Sequence, residues 1–245
     1  MPKSTQRIFV WCGPAMLVVL FIGLIVAGWI PLPTPGDSAA KVAHDYQAHT
    51  DAIRIGLLIA MFGAALYGPF AAMLAAQLRR MEKWQPAATY CQLMLGGLVI
   101  LEVIVPLMIL EAAAFRPYRS PEITLAISDI GWLMFVGFVF TVVVELVFLG
   151  VAILQDTTAT PVFPRWTGTA SIVTAVLILP GTPVVAFKSG PFTWSGILGF
   201  WVPAIAFGPW LVVMSVFMLK NIDREGDIPV PTATVAETAA AMPRG

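Results

Sequence analysis

The sequence predicts an all-α, polytopic integral membrane protein: a six-transmembrane-helix bundle with a short polar outer helix before the second span and another before the fourth. Three observations predict it. Hydrophobic residues make up 58% of the chain and charged residues only 11%, where a soluble domain carries about 25% charged; mean hydropathy is +0.85. Uncharged runs cover residues 8–30, 55–78, 166–187 and 189–219, and two further apolar runs carry only isolated carboxylates. About 20 apolar residues suffice to cross about 30 Å of hydrocarbon. None of the runs shows the period-two alternation of a barrel strand, so helices must satisfy the backbone groups that lipid leaves unsolvated.

The chain opens on a basic heptad with Lys3 and Arg7, followed by 23 uncharged residues. That run exceeds the about 7–15 residues of a signal-peptide core, and no clear small-x-small cleavage site stands before Trp29, Ile30 and Pro31. It reads as an uncleaved first span over 8–30 with its N-terminus inside. Residues 31–36 form an outer turn, after which Asp37 or Ser38 caps a polar helix over 39–51. This helix either runs on into the second span (53–78) or lies bent along the outer surface.

The second span repeats small residues at every fourth position: Gly56, Ala60, Ala64, Gly68, Ala72 and Ala76. Such a seam lets another helix approach closely in lipid, from the same chain or from a second copy in a homo-oligomer. Pro69 removes the donor to the Ala65 carbonyl and predicts a kink. The third span (87–114) and the fourth (130–155) are joined by a charged hinge over 115–122 and a short outer helix over 120–129, with Ser120 as cap and Pro121 in the first turn. The fifth span (168–187) is interrupted by Pro180, Gly181 and Pro183, and the sixth (195–219) contains Pro203 and Pro209. The polar tail, 221–245, reads as a disordered cytoplasmic segment.

With both termini inside, nine Lys and Arg fall on the cytoplasmic side and five outside, in keeping with the positive-inside rule. Tryptophans, Trp84 among them, fall near predicted span ends as an aromatic belt. The expected location is a bacterial-type plasma (inner) membrane, with the bilayer itself as partner.

Chemistry concentrates in the third and fourth spans, the only ones with carboxylates well inside them: Glu102, Glu111 and Glu145. No Lys, Arg or His lies at the depth of Glu102 and Glu145, so each is expected to be protonated, hydrated or holding a cation. Thr141, one turn before Glu145, is placed to hydrogen-bond to it. Pro106 leaves the Glu102 carbonyl without its helical donor. An outer polar cluster gathers His44, Asp45, His49 and Asp51 with Arg116, Arg119 and Asp129, at the level of Glu111. Asp45 and His49 share a helix face and supply two ligands, fewer than a stable metal site uses; ion pairs are the simpler use, and the arginines also suit lipid phosphate. Pro180, Gly181 and Pro183 form the third candidate, since broken helices line binding sites in several transporter architectures.

Zero net charge gives no reason for a nucleic-acid partner. Cys12 and Cys91 read as buried reduced thiols. There is no phosphate-binding glycine loop, nucleophile elbow or H-E-x-x-H pair, and no cofactor is predicted. Three functions follow as expectations. The first is a small proton- or cation-linked transporter, using the intramembrane carboxylates on an unspecified small molecule or ion. The second is a non-catalytic accessory or scaffold subunit that packs through the second-span seam. The third is a membrane-embedded enzyme acting on a lipophilic substrate, with the outer cluster as its metal site.

Overall fold

The computed structural model describes residues 1–82, 86–158 and 160–224. Regular structure among them is helical throughout, and six helical stretches are long and apolar enough to cross a membrane. The first is α1 (Lys3–Val26). A short α2 (Ala39–Ala48) precedes the second, which joins α3 (Thr50–Ala65) to α4 (Tyr67–Arg79). The third is α5 (Ala87–Phe115), and the fourth joins α6 (Pro121–Gly137) to α7 (Phe140–Leu154). The fifth passes from α8 (Arg165–Ile178) into a 3-10 segment (Leu179–Ala186), and the sixth from a π turn (Ile197–Trp201) into α9 (Val202–Arg224). Successive stretches are neighbours, and α9 closes the ring against α1. Large apolar side chains point outward all round, Ile22, Phe62, Leu101, Phe148 and Val176 among them. That exterior suits lipid.

Several boundaries differ from the sequence reading, each for a local reason. The first helix stops at Val26 instead of continuing to residue 30. Gly28, at φ 72°, follows it, and the N–H groups of Gly28 and Trp29 donate back to the Ile25 and Leu24 carbonyls at 2.9 Å. This Schellman ending turns Trp29 inward. The separate outer helix expected over 120–129 is instead the first part of α6, in one helical stretch from Pro121 to Leu154 whose only interruption comes later, at Phe138–Val139. Ser120 occupies the cap position without a side-chain hydrogen bond. Residues 221–224 belong to α9, not to a tail: Asn221 is buried and donates to the Val162 carbonyl at 2.9 Å. The remainder of the expected tail, with Lys83, Trp84 and Ala159, lies outside the described residues.

The small-residue seam is used, but only along its first half. Gly56, Ala60 and Ala64 are buried; Ala72 and Ala76 are exposed. A Cβ on Gly56 would collide with the Gly23 carbonyl and the Ala27 nitrogen, and one on Gly23 would lie 2.5 Å from the Gly56 carbonyl oxygen. The partner is therefore α1 of the same chain. The face turns where α3 ends at Ala65: the next residue, Leu66, donates its N–H to the Gly63 carbonyl at 3.0 Å, a tighter turn just ahead of Pro69. Burial then shifts to Ala71, Leu74, Ala75 and Leu78. A second glycine contact joins α7 to α8, where a Cβ on Gly150 would lie 2.7 Å from the Gly168 carbonyl.

Polar groups inside the bundle are mostly paired. The Trp210 indole N–H donates to Ser171 Oγ at 2.9 Å, and that hydroxyl donates to the Thr167 carbonyl at 2.9 Å. All three residues are buried. Ser171→Ala leaves the indole N–H unpaired, which should cost about 1–3 kcal/mol and lower the thermal unfolding midpoint in detergent. Cys12 and Cys91 are free thiols, half-buried and not enclosed.

Candidate functional site

The site begins at a break in the fourth stretch. Phe138 (φ −92°, ψ 69°) and Val139 (φ −111°, ψ 13°) leave helical geometry. The first N–H groups of α7 therefore lack helical acceptors, and Val139, at the cap position, has no side-chain oxygen to offer. Glu102, midway along α5, supplies one: its Oε1 accepts the Thr141 N–H at 2.8 Å. A carboxyl from a neighbouring helix thus does the work of an N-cap, facing the partial positive charge of the α7 N-terminus. Glu102 is only 5% exposed.

Glu145 lies one turn further along α7 and is 1% exposed. Its Oε1 accepts the Tyr67 hydroxyl at 2.9 Å and the Gln92 amide. Its Oε2 is buried and unpartnered, and so is the Thr141 hydroxyl. Thr141 was expected to bond Glu145 through its side chain; it binds Glu102 through its backbone instead, because the break exposes that N–H. Tyr67 and Gln92 were not singled out from the sequence. Gln92, an uncharged amide within an apolar run, and Tyr67, two residues before Pro69, were the available signals.

Beside Glu102 lies a small pocket of about 140 Å³. Its walls are apolar, from Leu17 and Leu20 of α1, Val99 and Val103 of α5, Phe138 at the break and Phe200 of the π turn. Glu102 is the one carboxyl on its wall. Three irregular segments meet here. A Cβ on Gly181 would lie 2.9 Å from the Val136 carbonyl and 3.3 Å from that of Gly199, so only glycine lets the 3-10 segment approach both the end of α6 and the π turn. Pro180, Gly181 and Pro183 all lie in the 3-10 segment. They tighten α8 into a 3-10 continuation that packs on the other two segments.

Comparison with protein-family models, curated proteins and solved structures finds no match.

Of the outer polar residues, Asp45, His49 and Asp129 line one cavity at the α2 end of the bundle, while Asp51, Arg116 and Arg119 do not. His44 Nδ1 lies 3.7 Å from Asp45, with both side chains at least half exposed, and His49 Nδ1 is 3.2 Å from the Asp45 carbonyl. Asp51 stands in the first turn of α3. Glu111 pairs with Arg54 at 3.3 Å, leaving its Oε2 buried and unpartnered. Arg119 donates to the Ala112 and Arg116 carbonyls at 2.8 and 3.0 Å, satisfying the end of α5, so its donors go to backbone and not to the neighbouring acids. Among the described residues no three His, Cys, Asp or Glu come together as a metal group.

At the start of α2, Ser38 Oγ accepts the Lys41 N–H at 3.3 Å, and Lys41 pairs with Asp37 at 2.6 Å. Burial pushes the Asp37 carboxyl up, but hydrogen bonds from Lys41 and Thr34 outweigh it and hold the carboxyl below its ordinary value. A carboxyl whose folded pKa is depressed contributes stability above its unfolded pKa and loses it as pH falls through the folded one. Acidification below the usual carboxylate range should therefore loosen the start of α2. Asp37→Asn should do the same at neutral pH, read as faster amide exchange at Lys41 and Val42. Burial also raises the Tyr46 phenol well above its ordinary value, against the opposing hydrogen bond with Ser128.

Proposed function

We propose that this protein is a small proton-linked carrier in which Glu102 is the protonatable group and the pocket beside it receives the solute. The observation that supports the reading is the double position of Glu102. One carboxyl both lines an apolar pocket midway along the bundle and holds the first turn of a discontinuous helix. An ionised carboxylate accepts a backbone N–H more strongly than a neutral acid does. Protonation of Glu102 would weaken its hold on α7 and free the break at Phe138–Val139 to bend, and solute release would follow. Glu145, one turn beyond Thr141 on α7, is the second protonatable group of the route. Thr141 touches Glu102 and stands one turn from Glu145. At about 140 Å³ the pocket lies below the range of drug-sized ligand sites, so its apolar lining suits a solute of only a few heavy atoms.

In this reading the six stretches span a plasma membrane, both termini are cytoplasmic and α2 faces outward, with more basic residues inside. The scaffold alternative drew on the seam of the second stretch, and α1 already fills its first half. The enzyme alternative drew on a metal cluster, and among the described residues no three His, Cys, Asp or Glu come together as one.

The test is whether purified protein in liposomes dissipates an imposed pH gradient in the presence of small amphipathic solutes. Wild type should do so with at least one solute class. Proton flux indistinguishable from protein-free liposomes across the whole panel would remove the carrier reading.

A further inference from the structure

A second cavity, of about 420 Å³, lies at the α2 end of the bundle, away from the Glu102 pocket. Its volume falls in the range of small-molecule sites. One wall is the α6 face carrying Leu125, Ser128, Asp129 and Trp132, at helical spacing. The facing rim repeats every fourth residue from Asp37 through Lys41 and Asp45 to His49. Trp29, Tyr46 and Trp194 complete an aromatic lining, with Trp29 and Trp132 in a T-shaped contact at 5.0 Å between ring centres.

Two properties of this lining select a ligand. The first is charge. Three aspartates meet one lysine, and that lysine is already held by Asp37 at 2.6 Å. Neither Asp45 nor Asp129 has a Lys or Arg in ion-pair contact among the described residues, although Lys41 acts on Asp45 and Lys188 on Asp129 through space. The second is an orphaned donor. Trp132 is 1% exposed, and its indole N–H is buried without an acceptor. The neighbouring indole of Trp194 is satisfied by the Pro33 carbonyl at 2.9 Å, and Tyr46 by Ser128 at 3.4 Å. Leaving one buried donor unpaired costs about 1–3 kcal/mol, which a ligand acceptor would recover by displacing the side chains that cover the N–H.

We propose that this cavity binds a small organic ammonium compound that also carries a hydrogen-bond acceptor. The ammonium sits against Asp129 and Asp45, with aromatic rings as its apolar wall, and the acceptor takes the Trp132 N–H. A free solute and the headgroup of an ethanolamine or choline lipid share this chemistry. The proposal does not depend on the carrier reading, since the cavity involves none of the groups assigned to proton transfer.

The test uses the full chain in nanodiscs of phosphatidylglycerol alone, with choline as probe and its neutral carbon isostere as control, read by tryptophan fluorescence. Choline should saturate the signal, and the isostere should bind at least about tenfold more weakly, a difference of about 1.4 kcal/mol. Asp129→Asn and Trp132→Phe should each weaken choline by about tenfold with unfolding midpoints kept. If Trp132→Phe fails to fold, Asp45→Asn on the accessible rim takes its place with the same expectation. Repeating the titration in phosphatidylcholine discs separates the sources: a headgroup site is blocked there, and a free-solute site titrates unchanged. Equal binding of choline and its isostere, no saturable signal, or full affinity in the folded variants would overturn the proposal.

Discussion

Replacing Gly56 with leucine is expected to destabilise the protein by about 3 kcal/mol or more, the upper range for forcing a side chain into a packed interface. The reason is what the new side chain would meet. Its Cβ runs into the Gly23 carbonyl and the Ala27 backbone nitrogen. These are backbone atoms of a helix and cannot step aside as a flexible side chain could. Either α1 and α3 separate along their length, losing the close contact that dispersion supplies in the absence of a hydrophobic drive, or the helix ends unwind. Gly97 provides the control. It is exposed and a Cβ there meets nothing within 4 Å, so Gly97→Leu should be neutral or gain up to about 1 kcal/mol from helix propensity. Unfolding midpoints of the two variants in the same detergent decide the matter: equal midpoints would mean that the α1–α3 contact is not as close as described.

The second large effect concerns Glu102, and here two substitutions separate its two duties. Glu102→Gln keeps the shape and an oxygen able to accept the Thr141 N–H, so folding stability should change by no more than about 1 kcal/mol. It cannot take up a proton, and solute-coupled proton flux should fall by at least about a hundredfold, the low end for removing a proton-transferring group. Glu102→Ala removes the acceptor as well. The first turn of α7 then loses its cap at a cost of about 1–2 kcal/mol, and flux is lost together with stability. If Glu102 served only to cap α7, the glutamine variant would keep both its stability and its flux.

How much of this was legible in the sequence follows from which forces leave a local mark. Contact with lipid demands uninterrupted apolar runs, so six stretches could be read from hydropathy alone. Glu102 and Glu145 stood out because a carboxyl among leucines and valines has no local excuse. The break at Phe138–Val139 left no such mark. It contains no proline and no charge, and the turn that follows it is held by a side chain on another helix, 39 positions before Thr141. Asp129 suggested a polar boundary, yet with Ser128 it faces the cavity beside α2 from within a continuing helix. The seam misled in its second half because the bend at Leu66 rotates the face, a consequence that Pro69 hinted at without giving its direction. Gly150 and Gly168 are each isolated in their helices, so no repeat announced their contact. Gln92 and Tyr67 escaped notice because neutral polar groups barely disturb an apolar run, although they are what holds Glu145.

The measurement that bears most directly on the carrier reading is solute-coupled proton uptake into liposomes, reported by a trapped pH dye, for wild type and Glu102→Gln reconstituted at matched density. Wild type should acidify the lumen when solute and an inward proton gradient are both present. The glutamine variant, with its unfolding midpoint preserved, should not. Equal uptake by the two proteins would contradict the assignment of Glu102 as the protonatable group.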